Sequence, residues 1–481
     1  MTSLLCIARV GCLALLGAWA AVGTAAERPN IILMLADDQG WNGLSVEMSP
    51  GVPGSRGEIF HTPNLEILAA QGMRFSNAYA PAPVCSPTRI SLQTGRSPAA
   101  LHWTKAAPPE PGHLLLEPTL IKAISADETT IGEVLVRAGY ATAHYGKWHI
   151  AGGGPGRHGY SEHDGDTDNE NAFQFTDPNP VDIFGMAERA ERFMARCQQE
   201  GRPFFVQLSW NALHASENAL QATLAKYAKQ PGADGKRAAV AAITEDLDTG
   251  VGRVLQAIDR LGLGGSTFVI YTSDNGGGGG GKGRGGKGAG GLSGGKGSVW
   301  EGGIRVPFIV RGPGIAPNSW CHVPIVGYDL FPTFCEWAGV PRSSLPKTLE
   351  GGSIAGLLAG GGTGRVTRPR EEIVFHFPHY QSGNVPHSAI RLGNLKLIRM
   401  YEDDSIRLFD LDADVGERDD LAARRPADAA RLRARLEQYL TAVEAQTPSR
   451  NPRFDPAREN TAPKRGNRGP QAGKKKQRGA S

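Results

Sequence analysis

Four apolar runs in this 481-residue chain end abruptly in polar groups able to do chemistry. "NIILMLA" runs into Asp37, Asp38 and Gln39, and "ATAHY" into Gly146, Lys147, Trp148 and His149. "PFFVQLSW" leads to His214, and "TFVIYTS" to Asp274 and Asn275. Three carboxylates and an amide supply oxygen donors, a set suited to Ca²⁺, or less well Mg²⁺, rather than zinc. Asp37 and Asp38 would repel each other strongly if both were ionised with no cation between them. A second set is basic: Arg89, Lys147, His149, His214 and Lys296. A metal and several cations around one nucleophile suit a tetrahedral oxyanion, so sulfate and phosphate esters are the candidate substrates. The candidate nucleophile is Cys85, in "VCSPTRISLQTGR". A helix beginning beside it would turn its first amides toward an anion.

The elements between these residues have to bring them together. "TPNLEILAAQG", "TTIGEVLVRAGY", "MAERAERFMARCQQEG" and "AAITEDLDTGVGRVLQAIDRLG" carry helical spacing and alternate with the apolar runs. Such alternation predicts an α/β fold, a large, mostly parallel sheet with helices on both faces. Ligands of open α/β sheets bind beyond the carboxyl ends of the strands, so the polar groups should converge on one rim. Residues 27–360 are expected to form this large domain. Residues 361–447 read as a smaller α+β subdomain, with "EEIVFHF", "SAIRLGNLKLIRM" and "IRLFDLD" as antiparallel strands and a helix after them. Most of the glycine-dominated stretch 276–297 reads as a flexible loop. Residues 448–481 read as a disordered basic tail.

Hydrophobic residues are 40% and charged residues 21% of the chain, an ordinary globular balance. The net charge of +4 is local: from Arg450 onward ten Lys or Arg face two Asp or Glu, which leaves the body mildly acidic. That argues against a nucleic-acid-binding body. Residues 1–26, with Arg9 before a short apolar run and "TAA" at the end, read as a secretory signal peptide. The protein is therefore expected to be exported, periplasmic or extracellular, with no membrane association beyond that peptide. Of six cysteines, Cys6 and Cys12 would leave with the signal. Cys321 and Cys335 either pair or stay free and buried, and no disulfide framework is implied.

These motifs together resemble the type I sulfatases of the alkaline phosphatase-like superfamily. Cys85-Ser86-Pro87-Thr88-Arg89 matches the family's C-x-P-x-R signature, extended by "TGR". "PNIILMLADDQG", "GYATAHYGKWHI", "TSDNG", "GGKGSVWEGGIRVP" and "LFDLDADVGERDDLA" match further family segments. The resemblance implies that a formylglycine-generating enzyme oxidises Cys85 to formylglycine, which hydrates to a gem-diol. One hydroxyl attacks sulfur and the alcohol leaves; the other then expels sulfate. It also implies Ca²⁺ on Asp37, Asp38, Asp274, Asn275 and residue 85. Arg89 and Lys147 would hold the diol, with His149 its base. His214 and Lys296 would contact the sulfate, and His214 would protonate the leaving alcohol. "NALHAS" departs from the proline that more often follows the family's "HA" pair, and Lys282 and Lys287 compete with Lys296. The expected substrate is a sulfated small molecule or glycan. His376, His379 and Tyr380 of "HFPHY" are candidate rim contacts, and Trp103 with His102 offers a stacking surface. Two alternatives stay open: a phosphodiesterase or phosphonate-ester hydrolase of the same superfamily, and a noncatalytic sulfated-glycan-binding protein.

Overall fold

A computed structural model describes residues 28–214, 218–231, 235–277 and 289–458. The expected signal peptide, Lys282, Lys287 and residues 459–481 lie outside the described residues. Eight strands form the central sheet: β1 (Asn30–Ala36), β2 (Met73–Phe75), β3 (Ala141–Gly146), β4 (Glu162–His163), β5 (Phe204–Ser209), β6 (Thr267–Ser273), β7 (Phe308–Arg311) and β8 (Ser319–Cys321). Their order is β8-β2-β7-β6-β1-β5-β3-β4. Pairing is parallel except where β7 meets β2 and β6.

All seven residues of β1 are buried, because both faces of the sheet are covered. Ile32, Met34 and Ala36 enter one core and Ile31, Leu33 and Leu35 the other. Burying each such Ile, Leu or Met side chain contributes roughly 1.5–3 kcal/mol. The first core takes the apolar faces of the helices Ile183–Gln199 and Gly235–Arg260. The second takes α1 (Cys85–Thr94) and the helices Ile131–Arg137 and Leu330–Trp337. Register then sets the site. Ala36 pairs with Ser273, Leu35 with Ser209, and Gly146 with Ser209, so four strands end level.

A separate antiparallel sheet runs in order β9 (Ile373–Phe377), β10 (His387–Leu392), β11 (Leu395–Met400) and β12 (Ile406–Asp410). Val374, Ile390, Leu397 and Leu408 face the helix Pro426–Ala442. Phe375, Phe377, Ala389 and Ile398 face the other way, against Val299, Trp300 and Ile304. The small sheet thus packs on the segment that carries Lys296.

Two expectations need revision here. The tail is not disordered from 448: Ser449 and Arg450 pair with Leu116 and Leu115, and Asn451 N–H donates to the Leu114 carbonyl (3.0 Å). The backbone at 114–116 gives this short strand its partner. In the glycine-rich stretch, residues 289–297 are folded, with Gly290, Gly291, Gly294 and Gly297 at positive φ. Cys321 and Cys335 are free and buried.

Burial pushes His376 and His387 down to about 4. On unfolding, each imidazole takes up a proton at its ordinary value, about 6.5. Their contribution to stability is therefore complete above that pH and is lost as pH falls toward 4, by roughly 3 kcal/mol per residue. His376→Gln is expected to flatten the acid limb of melting temperature against pH over that window. An unchanged slope in calorimetry would refute this.

Candidate active site

Cys85 is the first residue of α1, after Val84 in an extended conformation. Pro87 falls in the first turn, where an N–H would have no intrahelical partner anyway. Arg89 follows one turn later on the same face as Cys85. Gly95, at φ 68°, closes the helix in the left-handed conformation. All ten residues of α1 are buried, and Cys85 is 2% exposed.

The loops after the strands are stitched together. Asp37 N–H donates to the Ala212 carbonyl (2.8 Å), Leu213 N–H to the Asp37 carbonyl (2.8 Å), Lys147 N–H to the Ser209 carbonyl (2.8 Å) and Asp274 N–H to the Ala36 carbonyl (3.1 Å). Asp38 and His149 hold φ of 64° and 59°. Left-handed conformations of non-glycine residues carry strain that surrounding structure must hold, and they gather at functional sites.

Cys85 Sγ lies 3.3 Å from Asp37 Oδ1, 3.9 Å from Asp38 Oδ1 and 3.6 Å from Lys296 Nζ. Arg89 donates from Nη1 to the Lys147 carbonyl (2.7 Å) and from Nη2 to Asp274 Oδ2 (2.7 Å). Lys147 Nζ donates to Asp37 Oδ2. Lys296 Nζ lies 2.6 Å from Asp38 Oδ1, and His214 Nδ1 lies 3.0 Å from Asp38 Oδ2. Asp38 N–H donates to Asp274 Oδ1 (3.1 Å). Asn275 Nδ2 donates to Asp38 Oδ1 (2.8 Å), while its Oδ1 is buried and without a hydrogen-bond partner among the described residues. The cluster thus holds Cys85, Arg89, Lys147, His214, Lys296, Asp37, Asp38, Asp274 and Asn275. His149 borders it, lining the same cavity as Ser86.

The electrostatics follow from burial and neighbours. Burial raises Asp37, but Lys147 and Arg89 outweigh it and hold the carboxyl well below its ordinary range. Burial opposes ionisation of Asp38 too, yet Lys296 and His214 bring it to about 2. Burial and the charge of Asp37 lift Asp274 to about 6. Burial, with Asp274 and Asp37, pushes the Cys85 thiol well above its ordinary value. Burial, Lys147 and Arg89 lower His149 to about 3, so its ring is neutral at pH 7. The ligand atoms of Asp37, Asp38, Cys85 and His214 lie within 4.8 Å of one another. Three carboxylates and the unpartnered Asn275 oxygen are a fitting donor set for a hard divalent cation.

His376 and His379 are not part of this cluster. His376 is buried, with Nδ1 on Ser388 Oγ (2.6 Å) and Nε2 on the Gln446 carbonyl (2.8 Å). His379 is buried, with Nε2 on Thr104 Oγ1 (2.7 Å) and Nδ1 on Glu117 Oε2 (2.7 Å). Both nitrogens of each ring are engaged, so neither reaches a ligand at the rim; the expectation of substrate contact is corrected to core structure. Tyr380 is likewise buried. Trp103 does line a cavity of about 600 Å³ that opens beside Ser86 and His149, with Pro108, Pro118 and Ile121. The sequence reading missed a buried charged group behind Lys296: Glu301, Lys396 and Glu417. A lysine between two leucines in "NLKLIRM" was its one signal.

A sulfatase family model matches residues 29–340, and a model of the N-sulphoglucosamine sulphohydrolase C-terminal region matches residues 295–446. The chain is 32% identical to arylsulfatase A of Bos taurus, covering 73% of this chain and 71% of that protein. It is 31% identical to N-acetylgalactosamine-6-sulfatase of Sus scrofa, covering 68% and 67%. Among solved structures, Ps i-CgsB in complex with k-i-k-neocarrahexaose shares the fold, with a TM-score of 0.69 for the uncomplexed protein and 0.68 for the complex. At 23% identity that complex covers 86% of this chain and 93% of its own. With a matched family model over most of the chain and the site assembled at the strand ends, the protein belongs to the type I sulfatases of the alkaline phosphatase-like superfamily and is a sulfuric ester hydrolase.

Proposed function

We propose that the protein is exported and hydrolyses sulfate esters of carbohydrates, using residue 85 after its maturation to formylglycine and a Ca²⁺ ion on Asp37, Asp38, Asp274 and Asn275. The observation that carries this reading is the setting of Cys85. Its buried sulfur lies 3.3 Å from Asp37 Oδ1, 3.9 Å from Asp38 Oδ1 and 3.6 Å from Lys296 Nζ, where an oxygen donor set suited to a hard cation meets a set of cations suited to an anion. Hydrated formylglycine would supply a hydroxyl nucleophile to sulfur, and Ca²⁺ would supply positive charge to the ester oxygens.

The chain's own residues then divide the work. Asp37, Asp38 and Asp274 balance Arg89, Lys147 and Lys296 in charge. A divalent ion therefore leaves the site at a net +2, which favours a sulfate ester monoanion and the further negative charge that builds as the alcohol leaves. Arg89, fixed by Asp274 and the Lys147 carbonyl one helical turn from residue 85, would help hold the diol. His149, neutral and bordering the same cavity as Ser86, would be the base for the hydrated residue 85. His214 turns Nδ1 to Asp38, so Nε2 is the nitrogen that protonates the leaving alcohol. The cavity lined by Trp103, Pro108, Pro118 and Ile121 is of a size for one or two sugar rings. The names of the relatives, N-acetylgalactosamine-6-sulfatase among them, support a carbohydrate. Export rests on residues 1–26; among the described residues no helix is long and apolar enough to cross a membrane.

The test is the mass of the tryptic peptide Phe75–Arg89 from protein made in its native host, with rates on matched sulfate and phosphate esters. The expected result is the aldehyde at residue 85 and a preference for the sulfate ester. A persistent thiol in exported, active protein would refute the mechanism, and a phosphate preference would favour the phosphodiesterase.

A further inference from the structure

Lys296 lies in a tight loop whose outer side is held by the small sheet. Within the loop, Ser298 N–H donates to the Gly295 carbonyl (3.0 Å) and Gly302 N–H to the Ser293 carbonyl (2.8 Å). Gly297 N–H donates to the carbonyl of Pro83 (2.8 Å), two residues before Cys85. The remaining anchors come from residues 387–417. His387 Nδ1 donates to the Val385 carbonyl (2.5 Å), which leaves the Nε2 lone pair to accept from Val299 N–H (2.9 Å). Lys396 Nζ sits between Glu301 Oε1 (2.8 Å) and Glu417 Oε1 (2.7 Å). Glu417 Oε2 accepts from Glu301 N–H (2.7 Å), and Ser293 Oγ donates to the Gly416 carbonyl (2.7 Å). Glu301 Oε2 accepts from Tyr79 Oη (2.8 Å) and Arg305 Nε (2.6 Å).

These groups are nearly or fully buried, and none of His387, Lys396 or Glu417 is among the groups around Cys85. Apolar side chains would hold two domains together at lower desolvation cost. What a polar network with this many fixed partners adds is a single arrangement. Here that arrangement fixes the loop from Ser293 to Glu301, and the loop fixes where Lys296 Nζ meets Asp38 and Cys85.

We propose that the small sheet is a positioning clamp for Lys296, with His387 and the Lys396–Glu301–Glu417 group as positioning residues. The clamp's effect on rate rests on the role given to Lys296 above. The clamp itself can be read without that role, by amide hydrogen exchange. In His387→Phe, exchange protection across Val299–Gly303 is expected to fall at least about tenfold, and His387→Gln, which returns an acceptor, to restore it in part. On p-nitrophenyl sulfate, His387→Phe is expected to lose about 10- to 100-fold in kcat/KM, the range that a small misplacement costs. The loss should not add to that of Lys296→Ala: the double variant should be no slower than Lys296→Ala alone. Should His387→Phe fail to fold, Ser293→Ala removes one anchor without burying a new charge and should shift exchange in the same direction. Unchanged exchange in the folded variants, or losses that add, would overturn the clamp. A wild-type rate in Lys296→Ala with loosened exchange would instead keep the clamp and remove Lys296 from the sulfate site.

Discussion

Cys85→Ala is expected to fold and to turn over sulfate esters at least about 10⁴-fold more slowly than the mature protein, as for loss of a nucleophile that works as part of a unit. Removing one buried sulfur should lower stability by only about 1 kcal/mol. Cys85→Ser makes the sharper comparison. Its hydroxyl would form one bond to sulfur as the alcohol leaves. The serine carbon bears no second hydroxyl to expel the sulfate, so the enzyme should stall after one event. Intact mass should then show a single sulfated adduct at Ser86's neighbour, residue 85, with no steady-state release. Turnover of Cys85→Ala at the wild-type rate would remove Cys85 from the chemistry altogether.

The second large effect is expected from metal removal. Asp37, Asp38 and Asp274 come together with an Asn275 oxygen that has no partner among the described residues, and a divalent ion would satisfy it. Chelation should cut activity by about 10³-fold or more, and Ca²⁺ should restore it. Because the ion binds only the folded site, Ca²⁺ at 100 times its Kd should stabilise the protein by about 2.7 kcal/mol. Asp38→Asn keeps the shape of the side chain but removes a charge, so its melting temperature should respond far less to added Ca²⁺. Equal responses from the two proteins in calorimetry would place the ion elsewhere.

How far the sequence could be read depended on how local each signal was. The run "NIILMLA" is apolar at every position, which a strand needs when both its faces are covered, and the Asp pair follows it directly. The same logic located Lys147 and Asp274, because the ends of parallel neighbours lie level. His376 was illegible: in β9 its ring faces Ser388 and the Gln446 carbonyl, partners 12 and 70 residues away. Lys396 reads as a solvated strand residue until the loop of Glu301 is laid beside it. The short strands β2 and β8 and the reversed β7 carry too few residues to show a pattern. The strand at Ser449 is held by a distant backbone rather than by its own apolar residues.

The burial of α1 has a consequence in time. All ten residues of the helix are buried, so an enzyme that modifies Cys85 would need the helix undocked to reach the thiol. The maturation proposed for Cys85 then competes with folding. A chain that closes first would be trapped as a folded but inert thiol. The active fraction of a preparation would be set by the relative speeds of two processes during synthesis, and slowing the docking of α1 would raise it.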